Sequence, residues 1–479
     1  MAYGDLRSFL EGLRSRGQLV EVDEPVSVDL ELPAVLRRLM YSGGPAAIFR
    51  NIREGTLPAV GNLFGSWDRV SMAIGEDDPY PRISKYLESL GPREVPGLLG
   101  SLRALGELRQ ISSALPRPVR SGPVREVSWD RVDLGRLPAV RQWPREPGRF
   151  LTMAMTFVKG DRGSLNFGYY RLQVIGEDRI IVHWMPWRRG AAYGESRRQL
   201  AVVLGADPIT MLMAAVPVPP PLDKALVAGA LRGEGLELVR GETVDVDYPA
   251  RAELVMECEL TGETAVEGPF GDHAGVYSPS RPYPVARVKA IFSRRDPIIP
   301  VTATGRPVLE DGNMMRFGER VALALLQQVL PEVADLHMPP EGLGYLTIVS
   351  IRKRYPGHAR RVAAALWALS PLYHKIVVVV DSDVDPRDRS AVAYAVSANV
   401  DPGRDVSILE GYPTEELDPS TPIPGLGSKA CVDATRKLPE EYGGLEYPGE
   451  LSVPPEVEER AKLIYERIAG GGTWSARSG

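Results

Sequence analysis

Lys375-Ile-Val-Val-Val-Val380 sets five β-branched residues in a row with no polar break. Such side chains favour extended backbone, and an unbroken apolar run leaves neither face for water. A strand of this kind needs cover on both sides, which the helices of a parallel sheet supply. The flanks agree: a helical pattern over 358–369 precedes the run and another over 388–396 follows it. A strand over 346–351 and a helix over 318–330 come earlier. From about residue 316 the chain reads as an α/β module, closed by an amphipathic helix over 455–469 with Val457, Ala461, Ile464 and Ile468 aligned.

The chain of 479 residues is too long for one core, and its earlier parts follow other periods. A helix over 5–16 is capped by Asp5 and turns Leu6, Phe9, Leu10 and Leu13 to one side. Gly17 stops it. A strand over 18–22, a helix over 30–40, short strands over 46–49 and 57–60 and a helix over 67–74 complete an α+β unit ending near 110. The proline-rich Leu115-Pro-Arg-Pro-Val-Arg-Ser-Gly-Pro123 is a connector. Strands then follow over 153–158, 169–175, 179–185, 236–239, 252–260, 284–292 and 298–303. Few helical patterns separate them, so a barrel or sandwich-like sheet fits better than βαβ units. Helices over 208–214 and 222–231 would cover one mouth. The expected class is mixed α+β. The expected boundaries are 1–115, 116–315, 316–450 and a terminal helix with tail over 451–479.

Composition bounds the function. With 44% hydrophobic and 25% charged residues, the chain is ordinary for a soluble globular protein. A net charge of -5 gives no electrostatic case for nucleic acid or an anionic membrane as partner. No apolar run approaches the length of a membrane span, and Met1-Ala-Tyr-Gly-Asp5 lacks the basic-then-apolar start of a secretory signal. Cys258 and Cys431 show no metal-type spacing and read as core thiols of a cytoplasmic protein. Nine lysines against 48 arginines, with abundant proline, fit a thermophile or a GC-rich genome.

Glu267-Gly-Pro-Phe-Gly-Asp-His273 brackets a tight turn with two acids. Two carboxylates in different environments are the usual equipment for moving a proton, although the same residues also suit a solvated surface hairpin. Asn166-Phe-Gly-Tyr-Tyr-Arg171 offers an amide oxygen for a hard cation and a guanidinium fork for a carboxylate. Residues five apart on a regular strand point to opposite faces, so one shared pocket demands a turn or bulge, with Gly168 the expected place. His183-Trp-Met-Pro-Trp-Arg-Arg-Gly190 ends a strand with aromatics and arginines that suit a flat, phosphate-bearing cofactor. Five histidines in the chain argue against a histidine-rich metal site. Arg354-Tyr-Pro-Gly-His358 opens a helix, as an anion site or a plain cap. Gly425-Leu-Gly-Ser-Lys429 reads as a glycine loop without full phosphate-loop spacing. Asp381, Asp383 and Asp385 read as a solvated turn, half of a calcium loop at most.

In this order, and together with Thr304-Gly-Arg-Pro307, these motifs resemble the UbiD-type decarboxylase family over nearly the whole chain. The resemblance implies a central split-barrel flavin-binding domain and reversible, non-oxidative decarboxylation of an α,β-unsaturated or aromatic acid. Loss of carbon dioxide from an sp² carbon leaves an anion that no side chain stabilises. Family members meet this with prenylated FMN, made by a flavin prenyltransferase. Transferred to this chain, Arg171 holds the substrate carboxylate, Glu267 and Asp272 complete an acid network, and Asp272 delivers the proton. Asn166 binds a divalent ion, typically manganese, with potassium as a possible companion. Tyr169, Tyr170, Arg171, His183, Trp184, Met185, Arg188 and Lys429, with Asn166, fall in cofactor-contact segments.

Two departures concern the metal. The family's further metal-shell acid falls on Asp223 when counted back from Asp272, and on Lys224 when counted from Gly233. A metal-binding histidine of some relatives falls on Trp187, so that ligand is absent unless His183 replaces it. The arginine-rich composition leans towards the archaeal branch acting on trans-anhydromevalonate 5-phosphate; a polyprenyl-hydroxybenzoate is the alternative substrate. Functions of other classes are a flavin-binding reductase, which would not need Arg171, Glu267 and Asp272 together, and a silent scaffold. Relatives are commonly homodimers or homohexamers, and the terminal helix is a candidate contact.

Overall fold

The computed structural model describes residues 3–90, 111–160, 163–185, 189–218, 222–449, 451 and 453–470. Trp187 and Arg188 lie outside the described residues. Two compact units are present, Met1–Thr435 and Arg436–Gly479. In the first, α1 (Leu6–Ser15) is capped by Asp5 and buries Leu6, Phe9, Leu10 and Leu13, as its period requires. β1 (Leu19–Val22), α2 (Glu31–Tyr41), β2 (Ala46–Phe49), β3 (Ala59–Gly61) and α3 (Trp67–Ile74) follow, then α4 (Tyr80–Leu90), which the sequence reading lacked.

The central strands are β4 (Phe150–Leu151), β5 (Ala154–Lys159), β6 (Leu165–Tyr169), β7 (Leu172–Val174), β8 (Arg179–Val182), β9 (Gln199–Leu204), β10 (Glu237–Arg240), β11 (Leu254–Glu267) and β12 (Arg281–Ser293). Helix α5 (Arg189–Arg197) precedes β9, and α6 (Pro208–Ala214) and α7 (Lys224–Arg232) lie between β9 and β10. The main sheet runs β4-β7-β8-β12-β11-β9-β5-β6, with Val127–Ser128 added beside β12. Its end strands do not pair with each other among the described residues, so the expected barrel is open. β10 sits apart in a small three-stranded sheet. β13 (Ile299–Pro300), expected among the central strands, pairs with β3 instead.

The expected strand over 169–175 is two strands. β6 lies at the sheet's edge against β5, whereas β7 pairs with β8 and β4. Gly168 stays in register opposite Thr156, so the break falls at Tyr170 and Arg171, not at the glycine.

The C-terminal module adds α8 (Glu310–Gln327), β14 (Val333–His337), β15 (Leu346–Ile351), α9 (His358–Leu369), β16 (Ile376–Asp381), α10 (Arg389–Asn399), β17 (Val406–Pro413) and β18 (Leu426–Asp433). The sheet order is β14-β15-β16-β18-β17. The β-branched run is buried on both faces: Val377 and Val379 pack with Leu326, Val362 and Leu366, and Val378 and Val380 with Val392 and Ala395. Gly425–Lys429, read as a loop, leads into and forms the start of β18. Both cysteines are buried free thiols. No helix is long and apolar enough to cross a membrane among the described residues. The second unit contains α11 (Pro455–Gly470), whose Val457, Ile464 and Ile468 are exposed.

Candidate active site

Ending β6 at Tyr169 and restarting at Leu172 turns Arg171 out of the ladder and into the interior. β11 ends on Glu267, and the turn carrying Asp272 follows. The guanidinium joins both acids. Its Nε and Nη2 donate to the two Glu267 oxygens at 2.7 and 3.1 Å, and Nη1 donates to Asp272 Oδ2 at 3.0 Å. Nη2 also donates to Ser278 Oγ at 3.1 Å, and the Phe270 ring lies 4.7 Å beneath the guanidinium carbon. The Arg171 side chain is 7% exposed, Glu267 0% and Asp272 10%.

The turn is held from behind. Glu146 accepts from the N–H groups of Gln142, Trp143 and Gly271, at 2.6, 3.2 and 3.0 Å. Thr304 donates its hydroxyl to the Gly271 carbonyl at 2.6 Å, which gives the Thr304-Gly-Arg-Pro307 motif a structural role. A Cβ on Gly271 would lie 1.9 Å from the Trp143 ring, so only glycine fits between turn and tryptophan.

A further layer joins His183 and His273 of the motifs to Tyr283 and Glu416, which no motif contained. His183 Nδ1 lies 3.3 Å from Glu267 Oε2, and its Nε2 lies 3.1 Å from Glu416 Oε1. Tyr283 donates to the same Glu416 oxygen and packs its ring 4.3 Å from His183. Glu416 comes from the loop between β17 and β18, so the C-terminal module reaches the central site. His183 is therefore wedged between two carboxylates. On the other side His273 Nδ1 contacts Asp272 Oδ1, which also accepts the His273 N–H at 2.6 Å.

These contacts set the protonation states. Burial favours protonated carboxyls, yet the hydrogen bond from His183 and the charge of Arg171 outweigh it and lower Glu267 to about 2. For Asp272 burial is likewise overcome, here by the charge and hydrogen bonds of His273 and by Arg171, and the carboxyl is held well below its ordinary range. Burial depresses His273, but Asp272, Asp311 and Glu415 outweigh it and raise the imidazole to about 9.

The remaining site candidates are distributed as follows. Asn166 is buried on β6. Asp223, the N-cap of α7, accepts from the Leu165 N–H at 3.1 Å and the Ala225 N–H at 2.7 Å. Lys224 donates to the Phe167 carbonyl at 2.7 Å, so the two alternatives from the motif count flank Asn166 on either side. Among the described residues no group of three or more His, Cys, Asp or Glu gathers as a metal cage. Tyr169 Oη and Trp184 Nε1 are buried without a hydrogen-bond partner among the described residues, donors that a polar ligand would satisfy. The Trp184 ring stands edge-on to Tyr170 at 6.2 Å, and Met185 is buried beside it in sequence. Lys429 is buried on β18, and its ammonium donates to the Tyr373 carbonyl at 2.7 Å. His358 starts α9 stacked on Tyr355, with no part in the acid network.

Comparison with known proteins matches the chain domain by domain. Residues 10–87, 117–307 and 312–434 match the N-terminal, Rift-related central and C-terminal domains of 3-octaprenyl-4-hydroxybenzoate carboxy-lyase (UbiD). A protein of Aeropyrum pernix is 42% identical over 95% of this chain and 96% of its own length. The closed form of vanillic acid decarboxylase from Sedimentibacter hydroxybenzoicus superposes with a TM-score of 0.87 at 28% identity, covering 98% of this chain and 99% of that one. Open forms of the same enzyme give 0.79 and 0.76. The UbiD-class enzyme HmfF of Pelotomaculum thermopropionicum, in complex with FMN, gives 0.75 at 27% identity, covering 96% and 100%. With all three domains present in order, and with relatives alike over almost their full length, the chain belongs to the UbiD family of carboxy-lyases.

Proposed function

We propose that this carboxy-lyase decarboxylates an α,β-unsaturated or aromatic acid with prenylated FMN, and that Arg171, Glu267 and Asp272 form its reaction centre. The observation that carries the reading is one buried guanidinium joined to two carboxylates of different surroundings. The donors left over at Tyr169 and Trp184 fit a polar, aromatic cofactor, and HmfF has been seen with both FMN and its prenylated form. When bound, the prenylated flavin supplies the electron sink that side chains lack.

The chain's own residues do the rest. Arg171 orients a carboxylate and keeps Glu267 anionic. Asp272 places the proton on the carbon that loses carbon dioxide. Phe270 and the buried turn exclude water. Asn166 and Asp223 offer one amide and one carboxylate oxygen to a manganese ion. The cofactor phosphate and water would have to complete its shell, with any potassium beside it.

A small groove with a cavity volume of about 80 Å³ bears on the substrate. Met314, Met315, Ala322, Leu325, Leu366 and Leu369 line it. It opens one helical turn along α8 from Asp311, the acid that faces His273. Met314 to Leu325 spans about 16 Å of helix. Lys375 and Lys429 nearby are engaged by Asp418 and the Tyr373 carbonyl. The apolar lining suits an acid with a small apolar portion; trans-anhydromevalonate 5-phosphate, resting on the arginine-rich composition, and a polyprenyl-hydroxybenzoate are the two candidates. The test is co-expression with a flavin prenyltransferase. A coloured holoenzyme that releases carbon dioxide from one of four acids (polyprenyl-hydroxybenzoic, cinnamic, heteroaromatic or anhydromevalonate phosphate) is expected. A colourless protein inactive on all four sinks the reading.

A further inference from the structure

His273 sits where a proton store for Asp272 would have to sit. Its Nδ1 meets Asp272 Oδ1, while Asp272 Oδ2 is occupied by Arg171 at 3.0 Å. The charged groups that act most strongly on the ring are acids. Asp272 faces it within the turn, Asp311 from the start of α8 and Glu415 from the loop between β17 and β18. Arg171 lies beyond Asp272. The ring of Tyr345 stands 6.5 Å away. His273 is also the more open of the pair, with 19% of its side chain exposed against 10% for Asp272. Asp272 alone cannot hold a proton ready, because Arg171 and His273 stabilise its anion.

We propose that His273 is the proton reservoir of the reaction, recharging Asp272 through Nδ1 and refilling from solvent. The inference rests on the decarboxylase reading above and deepens it. The balance is simple. The bond from carbon to the carboxylate breaks and carbon dioxide leaves. The Nδ1–H of His273 passes to Asp272 Oδ1 as Asp272 gives a proton to the carbon, and the electron pair that stays with the substrate forms the C–H bond. The imidazole then takes one proton from water, which restores the imidazolium beside the Asp272 carboxylate. Each turnover consumes one proton and returns both side chains to their starting state.

Two measurements on the full-length holoenzyme test this. The first is a ¹⁵N-histidine NMR titration, practicable because the chain has five histidines, with His273 identified by the signal lost in His273→Asn. A midpoint near 9 is expected, and one near the ordinary value of about 6.5 overturns the proposal. The second is the kinetics of His273→Asn and His273→Gln, with retained flavin absorbance showing that each folds. We expect kcat to fall about 100-fold with KM little changed, and added imidazole to restore part of it. Unchanged kcat, or a loss that imidazole does not relieve in either variant, contradicts it. If wild-type enzyme releases carbon dioxide from no acid, the decarboxylase reading fails, and the titration still decides the charge on His273.

Discussion

At the scale of single residues the centre is one cation shared by two acids, and geometry matters more than charge. A lysine in place of Arg171 keeps the charge but loses the fork to Glu267 and the reach to Asp272. We expect Arg171→Lys to lose at least 100-fold in kcat/KM while still folding. Arg171→Ala removes the cation shared by both buried acids, leaving Glu267 to His183 and Asp272 to His273, and should destabilise by about 3–5 kcal/mol, read from denaturant midpoints. The pH dependence has a definite sign. Glu267 is lowered from 4.5 to about 2, so its contribution is complete above pH 4.5 and is lost as pH falls towards 2. Wild type should therefore lose more stability across that window than Glu267→Gln; parallel curves would contradict the assignment. Arg171, Glu267 and Asp272 were legible in the sequence because each belongs to a compact motif. Glu416, Tyr283 and Ser278 were not: Glu416 comes from far along the chain, and Ser278 and Tyr283, although close to Asp272 in sequence, belong to no motif that marks them.

At the scale of elements, the turn after β11 is a braced part, with Trp143, Glu146 and Thr304 behind it. Gly271→Ala forces a Cβ to 1.9 Å from Trp143. We expect a loss of about 1–3 kcal/mol and a larger fall in kcat than in cofactor binding, since the displaced atom pair is Asp272's own backbone neighbourhood. Glu416 offers a second element-scale test. Glu416→Gln keeps the size of the side chain but removes the charge facing His183, and should lower kcat while cofactor absorbance persists. The helices α1, α3 and α9 and the strands β15 and β16 were readable because their apolar patterns agreed with packing, with side-chain caps at α1 and α3. β9, an apolar run without alternation, offered no period to tell strand from helix. Gly427 looked like a loop glycine, but it is tightly packed within β18: a Cβ there would lie 2.7 Å from Thr421 and 2.9 Å from Thr414. Long-range pairing decided such places, as it did for β13, which left the central strands for the N-terminal sheet.

At the scale of the whole molecule, the chain superposes better on the closed form of vanillic acid decarboxylase than on either open form. Within this chain, the Glu416 contacts with His183 and Tyr283 let the C-terminal module supply an anion to the central site. Separately, α11 presents Val457, Ile464 and Ile468 to solvent. As a contact for another copy, this apolar row predicts that Ile464→Asp shifts sedimentation towards a smaller species without loss of helix content. The central claim remains the acid pair on one arginine. Its most direct test compares wild type and Asp272→Asn, each loaded with prenylated FMN to equal absorbance, by carbon dioxide release from the preferred acid. The account predicts equal cofactor content and at least 1,000-fold slower release by the variant, on the order of what positioned proton transfer contributes. Release by Asp272→Asn at the wild-type rate would contradict it.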